Sequence, residues 1–448
     1  MQVFFLGKIC QRGVKMQSLW QTENRQQHYP ALKGSKSTQV LVIGGGMAGV
    51  LCARQLQLAG KDVVLVEADR IGSGITAKTT AVLTAQHDYL YQDMVKDFGE
   101  DTAHAYLRAN LDAVDAFRKI AKKIPCDFED KPSVQFSTGD MSRLCREAAV
   151  VNDLGFSARF LEKLDFPVDA VCGVEYPGMA QFHPLKFLLS IAGDLQIYEN
   201  SRVLKLQGTK AILEQGSVCA EQVIVATHFP FINRHGLYFM KLYQNRSYVI
   251  AVENAPDPGT TLSELDGQGI YMRSYGDLLL VGGGDHRTGK GKDGFSFLRN
   301  YVQMHFPGAR VKYAYANQDC MSLDGLPYVG QYSQKTPNVY VATGFNGWGM
   351  TNSMVAANLL TDQILGRDNA LTKILRPDRS VLHKQLFCNL GATAADFVIP
   401  TAKRCPHMGC ALKWNPAEHS WDCPCHGSRF DKNGKLLDTP AQKDANIE

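Results

Sequence analysis

The stretch that decides the fold is Gln39-Val-Leu-Val-Ile43-Gly44-Gly-Gly46-Met-Ala-Gly49. Its first five residues are a short, mostly apolar run leading into glycines, which predicts a buried parallel strand. Gly44, Gly46 and Gly49 then fit the spacing G-x-G-x-x-G, and a helix is expected from Met47 to Ala59. The first glycine permits a tight turn, the second lets the backbone approach a pyrophosphate, and the third lets helix pack on strand. The helix N-terminus, with Met47 and Ala48 in its first turn, offers free N–H groups and a partial positive charge to phosphates. Asp62-Val-Val-Leu-Val-Glu67 reads as the second strand of a β-α-β unit. Glu67 closes it about 20 residues past the glycines, where an acid meets ribose hydroxyls. A glycine-rich turn with a solvated Glu is the plainer reading, but all five features in order point to dinucleotide binding.

The loop after Glu67 favours FAD over NAD. From Ala68 and Arg70 through Gly74, Thr76, Thr80, Ala81 and Thr84 it carries small and hydroxyl residues where a simple NAD domain would enter its next helix. Such a loop suits a long cofactor running across it. Far along the chain, Ala342-Thr-Gly344-Phe-Asn346-Gly347-Trp348-Gly349-Met350-Thr351 is a second strand, glycine turn and helix. Its helix N-terminus could stabilise negative charge on a reduced flavin ring. Val203 and the run Val223-Ile-Val-Ala226-Thr227 return the chain to the cofactor. Between these pieces, residues from about 91 to 124 read as helical, with apolar residues mostly three and four apart, and a second helical stretch is expected over about 142–163.

These features resemble the D-amino-acid-oxidase-like (DAO, glycine oxidase-like) family of FAD-dependent oxidoreductases, over roughly 38–366, with the Asp324-Gly-Leu-Pro-Tyr-Val-Gly330 segment as a further match. The resemblance implies an α/β fold: a Rossmann-like FAD-binding domain in three pieces, about 38–90, 170–230 and 315–366. A β-rich substrate domain, about 91–169 and 231–314, is inserted between them, and the 342–351 turn faces the flavin N1/O2 edge. Hydride transfer from a small-molecule substrate to flavin N5 is the implied chemistry. Amine-oxidising relatives often carry a carboxylate-clamping Arg where this chain has Asp319. An acid cannot clamp a carboxylate, so Asp319 either favours a cationic substrate or is structural. No catalytic base is nominated. His87, His183, His228 and His286 could border the flavin, although structural histidines are the commoner case. Arg246 and Arg273 could meet an anionic substrate, although exposed strand arginines are common.

Residues 367–387 are charged and turn-rich and read as a linker; 388–448 form a small β module. Within it, Cys405-Pro-His407-Met-Gly-Cys410 and Cys423-Pro-Cys425-His426-Gly-Ser428 gather four of the chain's 12 cysteines. Cysteine and histidine at short spacing suit tetrahedral zinc. They equally supply the two thiolates and two imidazoles of a Rieske [2Fe–2S] cluster. The motifs resemble the Rieske domain closely. That resemblance implies Cys405 and Cys423 on one iron, His407 and His426 on the other, and a Cys410–Cys425 disulfide. Ser428 keeps the hydroxyl of high-potential Rieske domains, whereas Phe430 stands where they often carry Tyr. Only about twenty residues separate linker from Cys405, so the module is either compact or borrows walls from the flavin body.

Composition is that of a globular protein, with 45% hydrophobic and 21% charged residues among 448 and a formal charge of +4. The excess is mild and unclustered, which implies neither nucleic acid nor an anionic membrane surface as partner. No stretch reaches the roughly 18 uncharged apolar residues of a membrane span. Residues 1–37 read as an arm whose start, Met1 to Lys8, lacks the order of a secretory signal, with Met16 an alternative start. Scattered single cysteines suit reduced thiols in the cytoplasm. Flavin and cluster together imply electron transfer with a partner protein or quinone, in either direction. A plain oxidase with a structural cluster and a non-catalytic electron carrier remain the alternatives.

Overall fold

The computed structural model describes residues 14–22, 27–232, 235–291, 293–380, 384–397 and 399–447. The Met1–Lys8 start and Cys10 lie outside them. Strand Gly34–Ile43 runs parallel to Val63–Val66 on one side and to Gly216–Val225 on the other. Gln196–Tyr198 extends the sheet beyond the former, and Val339–Thr343 pairs in parallel with the latter. The first strand starts five residues earlier than the apolar run, at Gly34, because its polar half still has Gly216–Val225 to pair with. Val40 to Ile43 are buried. Parallel strands covered on both faces need such continuous apolar runs.

Helix Met47–Leu58 packs beside Gly349–Ile364, and Gln55 Nε2 donates to Asn358 Oδ1 across them (3.3 Å). The second helix is apolar or small on nearly every face and is buried accordingly. Both helices therefore start at the cofactor end of the sheet, one at each glycine turn.

A second eight-stranded sheet runs in the order Arg310–Ser322, Leu242–Glu253, Leu278–Arg287, Tyr271–Tyr275, Thr261–Glu264, Ser133–Ser137, Cys172–Tyr176, Arg159–Leu161. The piece boundaries expected near 170 and 315 fall beside or inside strands of this sheet, because backbone pairing continues across them. The helical stretch expected over 142–163 stops at Asp153. Gly155 takes a positive φ of 84°, and the residues beyond pair with Cys172–Tyr176 instead. The helix expected over 91–124 breaks at Gly99 into Leu90–Phe98 and Glu100–Ala121.

The linker is partly structured. Helix Lys384–Phe397 crosses its expected end, and Arg379 is ion-paired to Asp324 at 2.5 Å. That pair anchors the linker to the Asp324–Gly330 segment. The C-terminal module is a four-stranded antiparallel sheet, Lys413–Asn415, Ser420–Asp422, Arg429–Asp431 and Leu436–Asp438.

Part of the N-terminal arm is built into the body. Trp20 is 1% exposed, donates from its indole to Thr79 O (2.7 Å), and sets ring edges on His183 and Tyr275. Lys15 bridges to the Arg310–Ser322 strand through Lys312 O and Ala314 N (3.0 Å each). Trp20→Ala is expected to cost about 3–5 kcal/mol, read as a lower melting temperature of the holoprotein; an unchanged melting temperature would show that the arm carries no packing energy.

Candidate functional site

The first glycine turn is sterically committed. A Cβ on Gly44 would sit 2.4 Å from Ala226 O, and one on Gly49 would sit 1.8 Å from Gly44 O. Gly46 caps helix Met47–Leu58 without a side chain, so most first-turn N–H groups stay open; Met47 N is met by Thr76 Oγ1 (3.0 Å). Glu67 accepts from Gly45 N (2.7 Å) and Asp69 N (2.9 Å), while burial pushes its carboxyl up. The acid thus fixes the turn it was expected to follow.

A cavity of about 440 Å³ opens over this turn. Gly44, Gly46, Met47 and Ala48 line it from the turn, and Glu67, Ala68, Arg70, Gly74 and Thr76 from the following loop. Val203, Ala226 and Thr227 close one side, and Gly344, Gly349 and Met350 the far end. A second cavity of about 360 Å³ adjoins it through Lys78 and Met350, which line both. Thr80, Thr84, Asn346, Gly347, Trp348 and Thr351 face that second space. Gly49 and Ala81 line neither: Gly49 packs under the turn, and Ala81 gives its carbonyl to Arg273 (3.0 Å). Asn346 also ties the far turn together, accepting from Ser322 N (2.8 Å) and donating to Gly325 O (2.9 Å) and Gly344 O (2.8 Å).

One nominated arginine is committed elsewhere and the other is engaged only in part. Arg273 Nη1 donates to the carbonyls of Thr80, Ala81 and Phe182, which shapes the 70–85 loop. Arg246 is 2% exposed and paired with Glu418 of the C-terminal module. Arg246 lines neither cavity, whereas Arg273 lines the second one and its Nη2 is buried there without a hydrogen-bond partner. Of the four nominated histidines, His228 lines the first cavity, where burial pushes its imidazole down to about 4. His87 bonds Tyr106 (3.1 Å), His183 caps Lys186 N (3.2 Å) and His286 meets Tyr248 (3.2 Å). Asp319 does line the second cavity, with Asp88 and Asp285.

The two Cys–His loops have the same local geometry. Gly409 N donates to Cys405 O (2.8 Å) and Gly427 N to Cys423 O (3.0 Å). Both glycines have a positive φ, 84° and 82°. These turns bring His407 and His426 together, ring centroids 5.0 Å apart and nearly perpendicular. Cys405 and Cys423 are buried side by side, and the hydrogen bond from Cys423 pushes the Cys405 thiol down. Burial pushes His407 to about 4 and His426 to about 3, which keeps the imidazoles in the neutral, ligating form. Nδ1 of His426 is buried with no hydrogen-bond partner. Two thiols, two neutral imidazoles and an unspent ring nitrogen fit a Rieske cluster. Cys410 and Cys425 form a disulfide that joins the loops.

The module leans on the flavin body. Gln244 Nε2 donates to His426 O (2.7 Å) and Thr439 O (3.1 Å), and Gln318 Nε2 to Gly427 O (2.9 Å) and Gln244 Oε1 (2.8 Å). Arg287 donates to Pro424 O and Cys425 O (2.9 Å each), and Phe229 and Phe239 set ring edges on His426. Leu437, Asp438, Thr439 and Gln442 of the module line the first cavity. Sequence reasoning missed Gln244, Gln318, Arg287, Asp88, Asp285 and Asp438. Each is a single residue in no motif, and only tertiary pairing brings them to the site.

The class follows from both halves: this is a flavin-dependent oxidoreductase with an iron–sulfur module. The chain belongs to the FAD dependent oxidoreductase (DAO) family, whose model matches residues 39–363. Residues 383–447 match the Rieske [2Fe-2S] domain. The Rieske 2Fe-2S iron-sulfur protein YhfW of Bacillus subtilis is 29% identical over 490 aligned positions, covering 95% of this chain and 96% of that one. Gamma-glutamylputrescine oxidoreductase of Escherichia coli is 24% identical across 77% of this chain and 87% of its own length. The crystal structure of L-proline dehydrogenase from P. horikoshii superposes with a TM-score of 0.66 at 17% identity, covering 77% of this chain and 98% of that one.

Phe430 is fully buried in the cluster core, and Ser428 Oγ faces Cys405 while accepting from Ala441 N (2.9 Å). With one hydroxyl present and the second replaced by a phenyl ring, the reduction potential is expected below the top of the roughly −150 to +300 mV Rieske range. Phe430→Tyr is expected to raise it in an EPR-monitored titration; a potential already at the top, or one that falls on substitution, contradicts this.

Proposed function

We propose that this protein oxidises a small organic substrate at FAD and passes the electrons singly through its Rieske cluster to an external acceptor, a protein or a quinone. When bound, FAD supplies two-electron acceptance by hydride transfer and the cluster supplies one-electron carriage. Two electrons leave the substrate with one hydrogen nucleus, and two successive single-electron steps with release of one proton close the balance.

One observation carries the reading: Asp438 and Thr439 of the cluster module line the same cavity as the glycine turn. In this assignment Gly44, Gly46 and the Met47 helix end hold the pyrophosphate and Glu67 the ribose side. Gly349 and Met350 meet the ring end. Cys405 and Cys423 hold one iron, and His407 and His426 the other. The second cavity, joined at Met350, takes the substrate. Gln244 and Gln318 hold the His426 loop against the flavin body, so exchange between the centres needs no domain motion. No described helix is long and apolar enough to cross a membrane; we place the protein in the cytoplasm on its scattered unpaired cysteines, Cys52, Cys126, Cys172 and Cys320 among them.

The test is reoxidation of fully reduced protein by cytochrome c under anaerobic mixing. Cys405→Ser is expected to slow flavin reoxidation at least about tenfold, a barrier increase of about 1.4 kcal/mol. Equal rates in variant and wild type would remove the cluster from the electron path and favour a plain oxidase with a structural cluster.

A further inference from the structure

The cavity over the first glycine turn has one wall that the flavin body does not supply. Leu437, Asp438, Thr439 and Gln442 line it from the C-terminal module, on and just beyond the strand Leu436–Asp438. This stretch is firmly held. Thr439 O accepts from Gln244 Nε2 (3.1 Å), Asp438 pairs with Arg429 Nη1 (3.0 Å), and Ala441 N donates to Ser428 Oγ (2.9 Å). Ser428 follows the loop of Cys423 and His426, so that cluster loop and the wall segment move as one piece.

Two of the four residues offer something to a ligand or to the body across from them. Leu437 is 51% exposed where it borders the cavity. An apolar side chain so placed gains from any ligand surface that takes it out of water. Burial works against the Asp438 carboxylate, yet Arg429, and after it Lys78, holds it well below the usual carboxylate range. Lys78 lines the same cavity from the 70–85 loop, so module and body attract each other at the flavin space itself.

The docking around this wall is close. A Cβ on Gly427 would sit 2.6 Å from Gln244 Cβ, and one on Gly289 would sit 2.9 Å from Pro424 N. Arg287 holds the same cluster loop by Pro424 O and Cys425 O (2.9 Å each) and lines neither cavity. A cofactor reaching from Gly44 to Gly349 passes the module's wall on its way.

We propose that residues 437–442 of the iron–sulfur module are a further piece of the flavin-binding site and its latch, so that FAD enters and leaves only when the module lifts from the flavin body. The inference rests on the assignment of the first cavity to FAD and does not depend on the relay. A docked module then strengthens FAD binding, and bound FAD strengthens docking to the same extent. The lifting serves cofactor exchange alone; electrons pass with the module seated.

Holoprotein is diluted, and the rise of flavin fluorescence is followed as FAD leaves wild type, Leu437→Ala and Arg287→Leu. Leu437→Ala alters the wall and keeps every docking hydrogen bond, whereas Arg287→Leu loosens the docking and touches neither cavity. Release is expected at least about fivefold faster in Leu437→Ala and about tenfold faster in Arg287→Leu. A wild-type rate in either variant would overturn the proposal. A second measurement needs no variant: amide hydrogen exchange over 437–442 is expected to slow when FAD is returned to FAD-depleted full-length protein, and unchanged exchange would equally overturn it. Neither readout involves electron transfer, so the latch can fail while the relay stands, and the relay can fail while the latch stands.

Discussion

Two glutamines on neighbouring strands hold the cluster module against the flavin body. Gln244 and Gln318 are 1% exposed, and between them they take up the backbone carbonyls of His426, Gly427 and Thr439. Thr288 Oγ1 donates to Gln318 Oε1 (3.1 Å), and Gln244 Oε1 accepts from Gln318, so every amide atom of the pair has a partner. A buried polar network satisfied in full is rigid and specific, whereas one missing member would leave a costly orphan. Beside it, the buried Arg246–Glu418 pair and Arg429, which also bonds Asp422 and Asp438, give the same docking a charged lock. Such buried pairs add more to geometry than to net stability. The small cluster module therefore obtains from the flavin body the walls it lacks, and the cavity over the glycine turn obtains one wall from the module.

The asymmetry of the cluster's surroundings follows. His426 is 4% exposed beneath Phe229 and Phe239, while His407 lies nearer the surface. The loop that carries His426 is the one clamped by the glutamines and by Arg287. In the proposed relay, the inner histidine side meets the flavin and the outer side is left for the external acceptor. Likewise the two adjoining cavities are chemically distinct, one walled in part by the cluster module and one by carboxylates.

Those parts of the site whose chemistry is written in local spacing were readable from the sequence. Gly44, Gly46, Gly49 and Glu67 sit within one β-α-β unit, and each cluster loop spans only a few residues, so spacing alone constrains geometry. Cys410 and Cys425 were paired by resemblance and are joined in the structure. What could not be read was long-range. Gln244 and Gln318 lie far from the 423–428 loop in sequence and meet it only because the strands Leu242–Glu253 and Arg310–Ser322 pair. Arg246 looked available to an anion because a sequence does not show which carboxylate already occupies a guanidinium. The same blindness made the arm look like an appendage: Trp20 finds its pocket on residues around 79, 183 and 275. The helix expected over 142–163 failed for a local reason. Gly155 ends it, and the chain beyond prefers an open sheet edge.

The central claim is that flavin and cluster form one preassembled electron-transfer unit. The direct measurement is the rate at which the cluster becomes reduced after flash reduction of the flavin, taken over a wide range of protein concentration. A first-order rate independent of concentration, and slowed in Gln244→Leu, is the predicted result. A rate proportional to protein concentration, or a cluster that stays oxidised while the flavin is reduced, would contradict the account.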